Sequence, residues 1–453
     1  MGGLTISLSD LIIMQWLLVR YAPPGGIQLV NSTLLGVFIL IGRIIEGVSF
    51  AVVANWSDQC RSKQGRRIPF MRWVIVPFAV VFVFLFNPPI DHLHWINEVY
   101  SGFLILLYFS MYGAVVVPYA ALIPELTSDL KERVDLTTWQ SIFVLVSTLL
   151  FGAVGPLLKQ FGWPLIIGTA GLLGVLFFLP ACLSLEEKPI RNDVANKVER
   201  IGLTTSVLLS LKNVPFVFTL ISMGIFWFAL SGLTSLVPYW VVSYLGGTED
   251  DVAKIMLPYL VVSFVSFIVI NKTAPRFGKH RTMLVGYFSA GVLFASLALT
   301  GFVSSISDFM FTQIIVALCG VPVAIFTVLA FPLLADIVDY DEKLTGRRRE
   351  AIFFGVKGVF QKLLIGVSVL TFTLVANSSG EAVANPQRLK LMAVIYGIAS
   401  LSAFAVFLGY PLREHDGKVV RKTTFISWRR RRVAAEDPAR EVVIRGIELT
   451  AEK

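Results

Sequence analysis

Charge is what this 453-residue chain has least of: Asp, Glu, Lys and Arg make up 15% of it, while 55% is hydrophobic and the mean hydropathy is +0.74. A soluble domain runs near about a quarter charged, so a water-soluble globule is excluded. Cysteine is nearly absent. Cys182 and Cys319 sit in apolar runs and Cys60 in a polar connection, which gives neither a disulfide framework nor a metal spacing. Histidine occurs four times; His92 and His94 flank a loop beside Asp91, where a solvated loop explains them more simply than a metal corner, and His280 and His415 stand alone. The sequence has no GxxxxGK[ST], HExxH or GxSxG string, which removes the common phosphate-loop, zinc-hydrolase and serine-hydrolase chemistries. The expectation is a protein that is not an enzyme and that needs no cofactor or metal beyond a coupling ion.

What the chain does have is long apolar runs parted by short charged clusters. A helix needs roughly 20 apolar residues to cross a bilayer, and only helices or closed barrels satisfy their backbone there. Barrel strands would alternate polar and apolar residues at short range, so unbroken runs predict helices. Twelve spans follow, approximately 3–22, 31–55, 69–88, 97–123, 138–159, 163–184, 214–245, 252–270, 282–303, 307–335, 351–376 and 388–411. The first carries Asp10 and Arg20 and lacks a cleavable leader's features, so it is expected to stay in the mature protein. Nineteen Lys and Arg fall in the even-to-odd connections, against five in or bordering the opposite loops. The positive-inside rule therefore places both termini in the cytoplasm. The net charge of +9, with Arg429 to Arg432 after Trp428, reads as an insertion signal facing anionic lipid, with no nucleic-acid partner.

The break at 185–213 divides the chain into six-span bundles at 1–184 and 214–411, followed by a basic tail at 412–453. A faint repeat supports the division: Gly65-Arg66-Arg67 matches Gly278-Lys279-His280-Arg281 at an offset of 213, and Pro118 matches Pro332 at 214. Two equivalent six-helix halves rocking around a midplane site are the architecture of the major facilitator superfamily. The fold class expected is thus an all-α membrane protein with twelve transmembrane helices in two bundles.

Three strings carry a closer resemblance. They are Arg43-Ile-Ile-Glu46 with Asp58, Arg61 and Gly65 to Phe70; Pro118 to Thr127 with Asp129, Glu132, Arg133, Leu136 and Thr137; and Ala335-Asp336-Ile-Val-Asp339-Tyr340-Asp341-Glu342 with Thr345 to Glu350, Gln361 and Lys362. Together they resemble the glycoside–pentoside–hexuronide:cation symporters, the group that includes melibiose permease. The resemblance implies a secondary carrier that couples a glycoside-like solute to a cation. It also implies roles for Arg43, for Lys362 near the cation, and for Asp10 as a span-one acid. Departures accompany it. Glu46 stands where the family has its first span-two Asp, and Phe50 where it has the second. Val116 and Ala120 replace a span-four Asp and Trp, and Gln140 or Ser141 the span-five Arg. With one oxygen ligand lost, a proton is the expected coupling ion, with sodium the alternative.

A charge at the bilayer centre costs roughly 2.5–3.5 kcal/mol on insertion scales, so one that persists faces protein or water. Arg43 and Glu46 lie about 60° apart on a helix and can touch. They form either a structural ion pair or a coupling site, with Lys362 as a counter-charge from the other half. Lys357 lies about 140° from Lys362 around its helix and cannot share its direction. Tyr108, Tyr112 and Tyr119 fall within about 40° on a wheel, either as a stripe that stacks on a solute ring or as packing. Gln140, Trp227, Gln313 and Gln361 are further candidates for solute contact. Asp58, Arg66, Arg67, Glu125 and Arg133 in one half and Asp336, Asp339 and Arg347 in the other can form a cytoplasmic latch across the halves, or serve only as topology signals. The reading is a monomeric alternating-access carrier in a bacterial plasma membrane for a small polar solute, probed against a lipid-like amphiphile and against a non-transporting sensor.

Overall fold

In an apolar surrounding every backbone N–H must find a partner within its own segment, and these apolar runs all become helices. The computed structural model describes residues 2–60, 65, 67–126, 130–184, 210–302, 306–345, 350–376, 385–415 and 418–421. In chain order the helices are α1 (Gly2–Tyr21), α2 (Ser32–Gln59), α3 (Ile68–Leu85), α4 (Trp95–Leu126), α5 (Leu130–Gly152) and α6 (Val154–Ser184). After 185–209 come α7 (Val214–Tyr244, its last turn a π turn), α8 (Glu249–Phe277), α9 (Lys279–Ser296), α10 (Asp308–Thr345, stepped at Cys319), α11 (Glu350–Ala376) and α12 (Pro386–Leu408). Eleven are long and apolar enough to cross a membrane; α5 is strongly apolar only over Ile142–Gly152, because its first half carries Lys131, Glu132, Arg133 and Asp135.

Local chemistry fixes the ends. Asn31 Oδ1 accepts from the backbone N–H groups of Thr33 and Leu34 to start α2, and Asn213 Oδ1 accepts from Phe216 to start α7. Thr248 and Asp251 form a reciprocal cap on α8. Gly278, at φ +83°, supplies the left-handed turn between α8 and α9. The fifth and sixth spans differ from expectation. The predicted gap at 160–162 does contain a break, at Gly162 with φ +76°, but a second falls at Ala153. Residues 154–161 thus form a short helix of their own, and the chain crosses again from 163.

Within the first half α1 packs on α5 and α6, α2 on α4, and α3 on α4 and α6; within the second, α9 and α7 pack on α12 and α8 on α10. The halves meet through α2 and α11, α1 and α7, and α6 and α8. Gly36 and Gly366 bring α2 and α11 together, since a Cβ on Gly366 would lie 2.9 Å from Leu40 Cδ1. On the face predicted to be outward, the Tyr239 hydroxyl donates to the Ala22 carbonyl (2.5 Å) and Lys159 pairs with Asp250 (2.6 Å) across the halves. Large apolar side chains such as Trp73 and Phe331 point outward, as lipid-facing residues do. Beyond α12, β1 (Leu412–His415) and β2 (Lys418–Arg421) form a short antiparallel hairpin at the start of the predicted tail; 422–453, like the 185–209 part of the connection, lie outside the described residues.

Candidate functional site

Four ionisable side chains from three helices and both halves meet at mid-depth. α2 directs Arg43 and Glu46 to one side, one turn apart, and Arg43 Nη1 lies 2.8 Å from Glu46 Oε2. The same Nη1 lies 3.1 Å from Asp10 Oδ1 on α1. From the opposite half, Lys362 Nζ on α11 lies 2.7 Å from Glu46 Oε1. Glu46 is fully buried and Arg43 nearly so (0% and 2% exposed), while Lys362 and Asp10 keep 14% and 23%. Two cations and two carboxylates thus balance. That balance lets charges sit so deep: each ion loses hydration, and only paired, hydrogen-bonded charges recover it.

Aromatic faces complete the setting. The Arg43 guanidinium lies 4.5 Å from the centroid of Phe109, and Lys362 Nζ lies 5.4 Å from that of Tyr112, both on α4. Each ring face is an electron-rich contact for its cation. Phe109 went unnoticed in the sequence, although its place three residues before Tyr112 puts both on neighbouring faces of one helix. Ser231 and Ser235 of α7 were also missed. With Arg43, Met14, Ile39 and Ile365 they line a cavity about the size of one water molecule between the halves. Serine in an apolar helix bonds its own backbone and gives no sequence signal.

The remaining candidates scatter. Tyr108 is buried and packs on Phe78 and Phe82 of α3, so it supports Tyr112 from behind. Tyr119, further along the helix, lies against Phe178 of α6, so the tyrosine stripe divides in two. Gln140 lies beside Gly3 at the start of α1. The Gln313 side-chain amide donates to the Lys254 carbonyl (2.9 Å) on α8, far along the chain from the charged cluster. Trp227 meets the ring of Phe326 within the second half (5.7 Å). Gln361 is half-buried beside Lys362. Phe50 fills the place of a second family carboxylate and lies against Gly113 of α4.

Of the expected latch, Arg66 and Arg347 lie outside the described residues, and for Asp58, Glu125 and Arg133 only the helical backbone is described. Arg67 donates to the Ala121 carbonyl of its own half. Asp336 is bridged by Lys279, at 2.8 Å, again within one half; Asp339 lies one turn on. His94 Nδ1 accepts the backbone N–H of Ile96 at the start of α4, and among the described residues no group of three metal-ligating side chains forms.

A charged pair thus joins the two six-helix halves at mid-depth. The family model described as MFS/sugar transport protein matches residues 1–412. The chain belongs to that family. As a major facilitator it is a secondary transporter and not an enzyme. It is similar to the uncharacterized symporter YjmB of Bacillus subtilis (23% identical, covering 87% of this chain and 86% of that one). It is similar also to the isoprimeverose transporter of Lactiplantibacillus pentosus (24%, 83% and 78%) and to the glucuronide carrier protein homolog of Escherichia coli (22%, 89% and 89%). Among solved structures, a D-xylose-proton symporter superposes with TM-score 0.67 over 92% of this facilitator and 97% of that chain, at 16% identity, which speaks to the fold.

Proposed function

We propose that this facilitator carries a small sugar-like solute together with a proton, and that Glu46 is the group that takes the proton. The observation that carries the reading is the Lys362–Glu46 contact of 2.7 Å between halves. Protonation of Glu46 cancels its attraction to Lys362 and frees the ammonium, so one event at the midplane loosens the tie between α2 and α11. Asp10 holds Arg43 in place, and Tyr112 gives the freed lysine an aromatic face. The sugar assignment rests on the names of the relatives.

A proton suits the site better than sodium. Sodium is a hard cation served by several oxygens, as other hard cations are, whereas both carboxylates here are engaged by Arg43 and Lys362 and Phe50 adds no oxygen. The Lys159–Asp250 and Tyr239–Ala22 contacts close the face assigned outward, which corresponds to the inward-facing part of the cycle. In the opposite part, Arg67, Asp336 and Asp339, with the residues around them, would exchange partners within each half for partners across the halves. On the same reading the carrier works as a monomer in a bacterial inner membrane, with both termini in the cytoplasm.

Uptake of labelled sugars into proteoliposomes tests the reading. An inward proton gradient should drive accumulation with no sodium present. Accumulation that strictly follows a sodium gradient would refute the proton assignment.

A further inference from the structure

The charged cluster borders a second polar feature, the water-sized cavity that Ser231 and Ser235 share with Arg43 between the halves. Its other walls are apolar. Met14 lies one turn beyond Asp10 on α1, Ile365 nearly one turn beyond Lys362 on α11, and Ile39 one turn before Arg43 on the oppositely running α2. All three steps lead toward the face assigned outward, about 5 Å along each helix. Arg43 serves both places. Its Nη1 holds Asp10 and Glu46, while its buried Nε–H has no hydrogen-bond partner among the described residues. A buried donor left unmet is costly. The two serines, also buried, have each spent their hydrogen. Ser231 Oγ donates to the Phe228 carbonyl (3.3 Å), and Ser235 Oγ to the Ser231 carbonyl (3.1 Å) or the Met14 carbonyl (3.4 Å). A hydroxyl has one hydrogen to give and two lone pairs, so what the serines still offer is acceptors. The cavity thus combines a donor from the first half with two acceptors from the second. A carboxylate brings only lone pairs and an ammonium only hydrogens, so each meets one side of it. A hydroxyl group both accepts and donates, and meets both.

We propose that Arg43, Ser231 and Ser235 form a hydroxyl-binding subsite between the halves, and that one neutral hydroxyl of the transported solute occupies it. This rests on the sugar-carrying reading above and adds to it the residues of the second half that select the solute. A single water has the same hydrogen-bonding chemistry and fits the space; the solute hydroxyl takes that place when the halves part. Because donor and acceptors belong to opposite halves, the bound hydroxyl draws α7 toward α2. It does so one turn from the Lys362–Glu46 contact, which puts solute recognition beside the proton site.

The test uses the purified full-length chain in proteoliposomes, with labelled D-glucose and D-xylose as solutes and each single-deoxy analogue of D-glucose as competitor. Ser231→Ala with Ser235→Ala should raise KM by about 3- to 10-fold, the scale of lost neutral hydrogen bonds, and leave the maximal exchange rate nearly unchanged. One deoxy analogue should bind the unaltered chain more weakly by a similar factor and lose nothing further in the double variant, because the missing hydroxyl and the missing serines belong to one interaction. Ser235→Thr, which keeps the hydroxyl, should retain the affinity and controls for packing; the single alanine variants give the same comparison if the double one does not fold. If the double variant only lowers thermal stability, with KM unchanged and every deoxy penalty intact, the cavity holds a water alone; this inference falls and the carrier reading stands. If the unaltered chain neither binds nor accumulates either sugar, both fall together.

Discussion

Lys362→Met removes the ammonium that ties Glu46 to the second half. After the change Glu46 and Asp10 share Arg43 alone, and the cluster carries one uncompensated negative charge. Removing one partner of a buried pair costs about 3–5 kcal/mol. Arg43 stays 2.8 Å from Glu46 and Lys362 is itself 14% exposed, so the loss should fall at or below the lower end, about 2–3 kcal/mol. Because the contact joins the halves, that energy acts on their relative position as well as on unfolding; it corresponds to a change of about 30- to 150-fold in the balance between joined and parted arrangements. The assay is a double-mutant cycle: thermal and denaturant unfolding in one detergent at one pH for Lys362→Met, Glu46→Gln and the double variant. The double variant removes both charges and should be more stable than the sum of single losses predicts, with a coupling of about 2 kcal/mol. Losses that add to within about 0.5 kcal/mol would mean that the pair carries no energy, and the reasoning would fail.

Other outcomes follow from packing and closure. Lys159→Cys with Asp250→Cys, joined by a reducible bis-methanethiosulfonate crosslinker that replaces the length of the lost side chains, should hold the predicted outer face shut and arrest uptake until a reductant is added. Lys159→Ala alone should leave the thermal unfolding midpoint close to that of the unaltered chain, since the lysine is 56% exposed and an exposed ion pair contributes little. Gly366→Val should cost about 1–3 kcal/mol in thermal unfolding, because its side chain enters the space of Leu40 at the α2/α11 contact.

Much of this protein is legible in its sequence, for a reason particular to membranes. Hydrocarbon leaves the backbone no choice but helix, so apolar length alone marks the spans, and a charge inside one draws attention because it is expensive. That logic picks out Arg43 and Glu46, the family resemblance adds Lys362 in preference to Lys357, and the structure brings the three together, with Asp10 alongside. It works less well where the signal is relative position. Tyr108, Tyr112 and Tyr119 share a wheel direction, yet the 32 residues of α4 pass different neighbours along their length, so Tyr112 reaches Lys362 while Tyr119 reaches Phe178. Phe109 is one of 35 phenylalanines, and only packing distinguishes the ring under a guanidinium from one facing lipid. The α5 to α6 passage was misread because Lys131 to Asp135 interrupt the apolar run while the chain stays helical, whereas Ala153, which carries no polar signal, marks a break. Lys279 pairs with Asp336 inside its own half, a contact between neighbouring helices that a search for charges facing each other across the halves does not find.

Glu46→Gln keeps the shape of the side chain and removes its charge and its ability to cycle a proton, so it separates carrying from coupling. Both should be measured in the same proteoliposomes: exchange of labelled for unlabelled solute at equal pH, and net accumulation under an inward proton gradient. The account predicts that exchange persists while accumulation is lost. A Glu46→Gln carrier that still concentrates its solute when the proton gradient is imposed would contradict it.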